Sequence, residues 1–362
     1  MSTRVLAVSK KFRHFGSYSG YDHLYNYLNF YMPVSIHQNE MKDWQLKLAK
    51  KFTLRNVWSS KYGLFHNSAN LFTEYQAFKN AKRIKPDCVH VTYLEDTLGF
   101  LADKKKELSC MLFATSHQPP EWWKMTHKNT DIIKSLDGLI VLSKEAKTFF
   151  ENFLPGRVAY IPHGVDTTFF NYQPRTKDIP KKSILFVGNW LRDFETFVKT
   201  IESLEERAKG MFCYNIVYPT IPEIPLNPLH RLLKYNNIEW HRNISDNELK
   251  HLYHNAALLF LPFINGTGNN ALLEAAACGT PILTSRLDSI IDCFGGKENL
   301  FTVNGSCVEA YIDCIHQVTN DNNYAMVYAK TLQLRKHTEQ YLDWGIIAKK
   351  HHIFFESILA LR

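Results

Sequence analysis

Short apolar runs rich in β-branched and aliphatic residues recur along the chain at 5–8, 88–92, 111–115, 138–142 and 158–161, then at 184–187, 215–218, 238–240, 258–261 and 281–284. Runs of this kind read as strands. Between them lie stretches with helix-like spacing, among them 22–31, 144–153, 193–207, 246–255 and 271–277. Strand and helix in alternation is the pattern of an α/β protein built on parallel sheets. The segment 171–182 holds two prolines and little apolar material, which makes it the linker candidate, and it divides the chain almost in half. The expected organisation is a first domain over 1–175 and a second over 176–340, with 341–362 as a terminal segment. Open parallel sheets bind ligands at the carboxyl ends of their strands, so a cleft between two such domains is the expected place for a nucleotide-like ligand.

A chain of 362 residues fits two domains of average size, and 45% hydrophobic content suffices for two cores, which excludes a disordered chain. No apolar run reaches 18 residues, and the apolar start of the chain is too short for a signal peptide before Lys10 and Lys11. Seven scattered cysteines without a C-x-x-C pair argue against a disulfide framework and a zinc site, so a cytoplasmic protein with reduced thiols is expected. The net charge of +8 is one-sided: residues 1–180 hold 25 Lys and Arg against 16 Asp and Glu, whereas 181–362 hold 18 against 19. A basic first half draws anionic partners, and phosphorylated small molecules, acidic lipid headgroups and nucleic acid all have the required charge. No nucleic-acid-binding module is visible, so nucleic acid is not an expected partner.

The most informative stretch runs from Leu261 to Ser285. A buried strand enters a loop, Gly266-Thr267-Gly268-Asn269-Asn270, that opens a short helix of Ala and Leu. Glycine and asparagine let backbone amides approach a ligand closely, and the N–H groups and positive dipole end of the helix favour phosphate. The loop reads as an anion cradle. Glu274 sits one turn further in among alanines, where an unpaired carboxylate is costly. A ribose diol would satisfy both its oxygens; the alternative is a capped helix whose Glu reaches solvent or an arginine.

The block Leu273-Glu-Ala-Ala-Ala-Cys-Gly-Thr-Pro-Ile-Leu-Thr-Ser285 resembles the nucleotide-sugar signature of GT-B glycosyltransferases of the retaining family 4 type. Other blocks fall in that family's order: Ser135 to Lys144, Val158-Ala-Tyr-Ile-Pro-His-Gly-Val-Asp-Thr-Thr-Phe169, Ile184-Leu-Phe-Val-Gly188, Ile238 to Tyr253, and Tyr341 to Lys349. The resemblance covers about residues 86–355. It implies the GT-B architecture, two Rossmann-like parallel-sheet domains facing across a cleft, with the terminal helix crossing back to the first. It also implies sugar transfer from a nucleotide diphosphate with retention at the anomeric carbon.

Carried onto this chain, the resemblance gives Glu274 the donor ribose and gives Gly266, Thr267, Gly268, Asn269 and Asn270 the pyrophosphate and sugar. The chain departs from the pattern twice: Gly266 stands where the family has a glutamate, and after Gly188 the family's Arg and Lys are replaced by a stretch offering only Arg192. Arg192 is therefore assigned the leaving diphosphate, against an alternative as a solvated residue in the first turn of a helix. His117, directly after a strand, is assigned to the donor sugar. His90 in mid-strand and His163 in the turn between domains read as structural. Gly16, in the loop after the first strand, stands where the family's glycine-rich loop meets donor phosphates or acceptor. No D-x-D occurs, so no metal site and no cofactor beyond the donor itself are expected.

The segment 42–55 could form a basic amphipathic helix suited to an anionic membrane surface, or an ordinary helix packed on the first sheet. The expected activity is sugar transfer from a nucleotide sugar to a glycan or lipid-linked acceptor, with a peripheral place on the inner face of a membrane. A GT-B sugar-nucleotide epimerase and a non-catalytic nucleotide-sugar or glycan-binding protein remain the alternatives.

Overall fold

The structure, a computed structural model, describes residues 3–9, 16–28, 34–36, 44, 47, 68–95, 97–126, 131–174, 182–219 and 227–361. Most of the expected amphipathic segment 42–55 and of the linker 171–182 lies outside them. The chain divides into two compact units: one spans 1–15, 20–163 and 344–362, the other Gly16–Ser19 and Gly164–Asp343. The division therefore comes just after the turn at His163.

The first unit holds β1 (Val5–Val8), β2 (Val34–Ile36), α1 (Ser68–Ile84), β3 (Cys88–Val91), α2 (Gly99–Asp103), β4 (Met111–Ser116), α3 (Pro120–Thr126), β5 (Gly138–Val141), α4 (Lys144–Glu151) and β6 (Val158–Tyr160). Its strands pair in parallel in the order β2-β1-β3-β4-β5-β6. Successive residues of a strand point to opposite faces, and both faces are covered. Leu112 and Ala114 of β4 pack with Trp123 and Phe150 on one side, whereas Phe113 packs with Tyr21, Trp344 and Phe355 on the other. The last two residues belong to the C-terminal helix Trp344–Leu359.

A hydrogen-bonded chain anchors that helix in the first unit. His351 Nδ1 donates to Ile347 O (2.8 Å), so its Nε2 accepts from Tyr21 Oη (2.6 Å). Tyr21 Oη in turn accepts from Thr115 Oγ1 (3.3 Å), which accepts from His90 Nε2 (2.9 Å), while His90 Nδ1 accepts from Tyr25 Oη (2.5 Å). Burial holds His90 well below the usual histidine range and His351 at about 4, so both rings are neutral near pH 7. His90 is thus a fully engaged core histidine. His163 is also buried and packs against Tyr21 and Trp344.

The second unit holds β7 (Ser183–Val187), α5 (Phe194–Arg207), β8 (Cys213–Val217), β9 (Ile238–His241), α6 (Asp246–Asn255), β10 (Leu258–Leu261), α7 (Asn270–Cys278), β11 (Ile282–Ser285), α8 (Asp288–Cys293), β12 (Phe301–Val303), α9 (Val308–Thr319) and α10 (Tyr324–Tyr341). The parallel order β12-β11-β10-β7-β8-β9 places the unit's first strand between β10 and β8. The direction of winding reverses there, at the switch point where open α/β sheets bind ligands. Helix ends follow local chemistry: Asp193 caps α5 through Thr196 N, and Ser245 and Glu248 form a reciprocal capping box on α6. Among the described residues no helix is long and apolar enough to cross a membrane.

Candidate active site

The loops leaving β7 and β10 at the switch point are stitched together. Ile264 N donates to Leu191 O (3.0 Å), Asp193 N to Pro262 O (2.9 Å), and Arg192 bridges Phe263 in antiparallel fashion. The first loop turns back at Gly188 (φ 90°), where an added Cβ would lie 3.0 Å from Arg192 Nη2, so only glycine suits the position. Leu191 is also left-handed (φ 56°), a strained state for a branched side chain that the cross-loop bonds sustain.

This fold-back buries Arg192 to 4% exposure. Its guanidinium donates to Val187 O from Nε (3.2 Å) and Nη2 (2.9 Å), to Trp190 O from Nη1 (3.1 Å) and to Asn269 Oδ1 from Nη2 (3.1 Å). The ring of Phe263 lies 4.3 Å from the guanidinium carbon. Desolvation lowers its pKa to about 9, leaving it charged at neutral pH. Arg192 precedes α5 and is buried, which replaces the alternative of a solvated first-turn residue. Among the described residues no carboxylate pairs with it, so a cation stands in low dielectric with only neutral dipoles for compensation.

Asn269 joins the arginine to the second loop. Its Oδ1 caps α7 by accepting from Ala271 N (3.0 Å) while it accepts from Arg192. Gly266 lies earlier in the same loop, its carbonyl bonded to Ser289 Oγ (2.5 Å), with Thr267 nearly buried. Gly268 leads into the cap, and Asn270 begins the helix. Gly188, Arg192 and the loop 266–270 are therefore brought together at one sheet edge, beside the N-terminus of α7.

Glu274, on the second turn of α7, is 4% exposed, and each carboxylate oxygen accepts from a hydroxyl: Oε1 from Ser19 Oγ (2.5 Å) and Oε2 from Tyr253 Oη (2.9 Å). It is shielded from solvent and, among the described residues, meets no arginine. Burial raises its pKa to about 7 against the opposing effect of these two hydroxyls. The segment Gly16–Ser19 lies on the same unit: Ser17 N donates to Asp246 Oδ2 (2.7 Å) and Tyr18 stacks on Phe169 at 3.6 Å and 5°. A Cβ on Gly16 would fall 1.6 Å from Asp246 Oδ1, so a larger residue there would displace the Asp246 carboxylate. Tyr253 and Ser19 are site residues that sequence reasoning left out. Tyr253 falls in the quoted 238–253 block, whereas nothing in the sequence around Ser19 points to a carboxylate 255 residues away.

His117, in the first unit, follows β4. Its Nε2 donates to Thr92 O (2.8 Å), which makes Nδ1 the acceptor nitrogen, and its ring stacks on Tyr93 at 4.3 Å. Desolvation lowers its pKa to about 3, so it stays neutral and acts at pH 7 as a hydrogen-bond acceptor rather than a base.

Residues 181–321 match the family model described as Glycosyl transferases group 1. No curated protein matches the sequence. Among solved structures, the chain is similar to a glycosyltransferase from Rickettsia africae (13% identity, 99% of each chain, TM-score 0.70). It is similar also to sucrose-phosphate synthase from Thermosynechococcus elongatus (13% identity, 99% of this chain and all of that one, TM-score 0.72). A third is Anabaena HepE, solved in complex with UDP and glucose (12% identity, 98% of this chain and all of that one, TM-score 0.68). These likenesses make the α/β architecture GT-B. A group 1 glycosyl transferase domain on that scaffold is the equipment of an enzyme that transfers glycosyl groups.

Proposed function

We propose that this chain is a retaining glycosyltransferase that moves a sugar from a nucleoside-diphosphate donor to a glycan or lipid-linked acceptor on the cytoplasmic side of a membrane, without a metal ion. The observation that carries the reading is that the loops and helix at the switch point of the second unit hold both a buried cation and a buried carboxyl: among the described residues the first has no carboxylate partner and the second is bonded by two hydroxyls. A diphosphate supplies the charge that Arg192 lacks, assisted by the N-terminus of α7. A ribose diol offers Glu274 the kind of bond it already makes, one of its hydroxyls taking the place of the Ser19 hydroxyl.

In the proposed reaction the bond between the anomeric carbon and the diphosphate oxygen breaks as the acceptor oxygen bonds the same face of that carbon. The acceptor proton passes to an oxygen of the leaving diphosphate. Arg192 stabilises the charge that develops on the leaving group. His117 accepts a hydrogen bond from a sugar hydroxyl, a role for which its neutral ring is suited.

Incubation with a panel of nucleoside-diphosphate sugars and glycan acceptors tests the reading. Acceptor-dependent release of nucleoside diphosphate, with a product that keeps the donor's anomeric configuration in the NMR spectrum, is expected. Conversion of the sugar without acceptor would replace the proposal with an epimerase, and binding without turnover would replace it with a binding protein.

A further inference from the structure

Four consecutive residues after β3 each hold a part of the turn that carries His117. The carbonyl of Thr92 takes the Nε2 proton of the imidazole (2.8 Å), and the Tyr93 ring stacks on it with planes 22° apart. Leu94 N donates to Thr115 O (2.9 Å). Glu95 closes the set: its Oε1 accepts from Ser116 Oγ (2.8 Å), His117 N (2.6 Å) and Gln118 N (2.9 Å). Trp123 Nε1 in turn donates to Ser116 Oγ (3.0 Å), tying the start of α3 to the same point.

Successive backbone N–H groups at a turn form a concavity suited to an anion. Here the chain's own carboxylate occupies it, 4% exposed, at the carboxyl edge of the first sheet. The elements on either side hold this junction already: Leu94 spans the strand ends and α3 begins at Pro120. A carboxyl group buried there, with three donors converging on one oxygen, fixes the path of residues 116–118 and with it the origin of the imidazole. No hydrogen bond joins Glu95 to the ring, so its effect on the ring passes through the backbone.

We propose that Glu95 is a positioning residue for the transfer reaction, setting through the 116–118 turn the place from which His117 meets the sugar. The inference rests on the assignment of His117 above. Glu95→Gln keeps an oxygen at the same reach, whereas Glu95→Asp keeps the carboxyl group and withdraws the oxygen by one methylene. In the full chain the Gln variant is expected to hold kcat within about threefold of wild type. The Asp variant is expected to lose at least about tenfold in kcat with the donor KM nearly unchanged, as a displacement near 1 Å costs on the order of a hundredfold.

Long-range 15N–1H spectra, with the His117 signals assigned by their loss in His117→Asn, read the same point without turnover. A single Nε2–H tautomer is expected in wild type and the Gln variant, and mixed tautomers in the Asp variant. A folded Asp variant with wild-type kcat and an unchanged His117 spectrum would overturn the proposal. Tautomer mixing in the Asp variant supports it even where no donor is turned over, a result that would count against the glycosyltransferase reading instead. Should the Asp variant fail to fold, Ser116→Ala removes one of the three donors and leaves Glu95 in place. A fall of more than about fivefold in kcat at unchanged KM would then support the proposal, and a smaller change would overturn it.

Discussion

Replacing Glu274 by glutamine should make the protein more stable and deprive it of its nucleotide response. The folded environment raises the Glu274 carboxyl from 4.5 to about 7, chiefly by desolvation. At about 1.4 kcal/mol per pH unit, the ionised form carries a cost of about 3 kcal/mol at pH 8. The sign follows from linkage. The folded value lies above the unfolded one, so the native state binds the proton more tightly between about pH 4.5 and 7, and stability falls as pH rises through that window. Glutamine has no proton to lose, and it keeps the shape. Its amide oxygen accepts from one of the two hydroxyls, and the other, on Ser19 or Tyr253, turns to accept from its N–H. Urea or thermal melts of both proteins at pH 5, 6, 7 and 8 read the difference. Glu274→Gln should match wild type near pH 5 and gain about 3 kcal/mol at pH 8, a shift of roughly 6–12 °C for a unit of this size. The same variant should lose stabilisation by nucleoside diphosphates. A difference that stays constant with pH, or a variant less stable at pH 8, would refute the account of Glu274 as a carboxylate held at a cost for a ligand.

Gly188→Ala combines left-handed strain with a Cβ 3.0 Å from Arg192 Nη2; calorimetry should record a loss of about 1–3 kcal/mol, and an unchanged melt would show that the turn relaxes freely. Arg192→Lys should cost about 1–3 kcal/mol by orphaning the carbonyls of Val187 and Trp190. The same variant should bind nucleoside diphosphate about tenfold more weakly, and a lower melt with undiminished affinity would make Arg192 a clamp alone. Tyr21→Phe should cost about 1–3 kcal/mol by breaking the chain from His90 to His351 while leaving nucleotide affinity as in wild type. Weakened affinity in that variant would contradict the separate roles given to the two units.

Much of the scaffold was legible because parallel strands covered on both faces must be apolar throughout. The runs at 5–8 and 258–261 coincide with β1 and β10, and the remaining eight fall within a residue or two of the observed strands. The strands that escaped notice, β2 and β12, are three-residue edge strands, too short to show a period. The expected helix at 22–31 is instead a 3-10 turn over Tyr21–Asn26. At the chain's end the reading of 341–349 as helix misses a break: Asp343 leaves the helix to pair with Thr167 and to bridge Val165 before a new helix begins at Trp344.

The site divides along similar lines. The loop 266–270 and Glu274 were visible because their chemistry lies within one strand, turn and helix. The burial of Arg192 depends on left-handed backbone at Gly188 and Leu191, and the second of these carries no signal in a leucine. Glu95 looks like any surface acid until β4 brings residues 116–118 against it. Contacts made between distant segments are what a local pattern cannot carry.

The most direct measurement is a titration of the protein with a panel of nucleoside diphosphates and their 2′,3′-dideoxy counterparts, repeated on Glu274→Gln. One ribonucleotide at about a hundred times its Kd should add about 2.7 kcal/mol to the stability of the wild-type protein. Its dideoxy form should bind at least about tenfold more weakly, and the variant should lose that preference. Equal affinity for ribo and dideoxy forms, or no binding by any nucleotide, would contradict the claim that this unit holds a sugar nucleotide through Glu274.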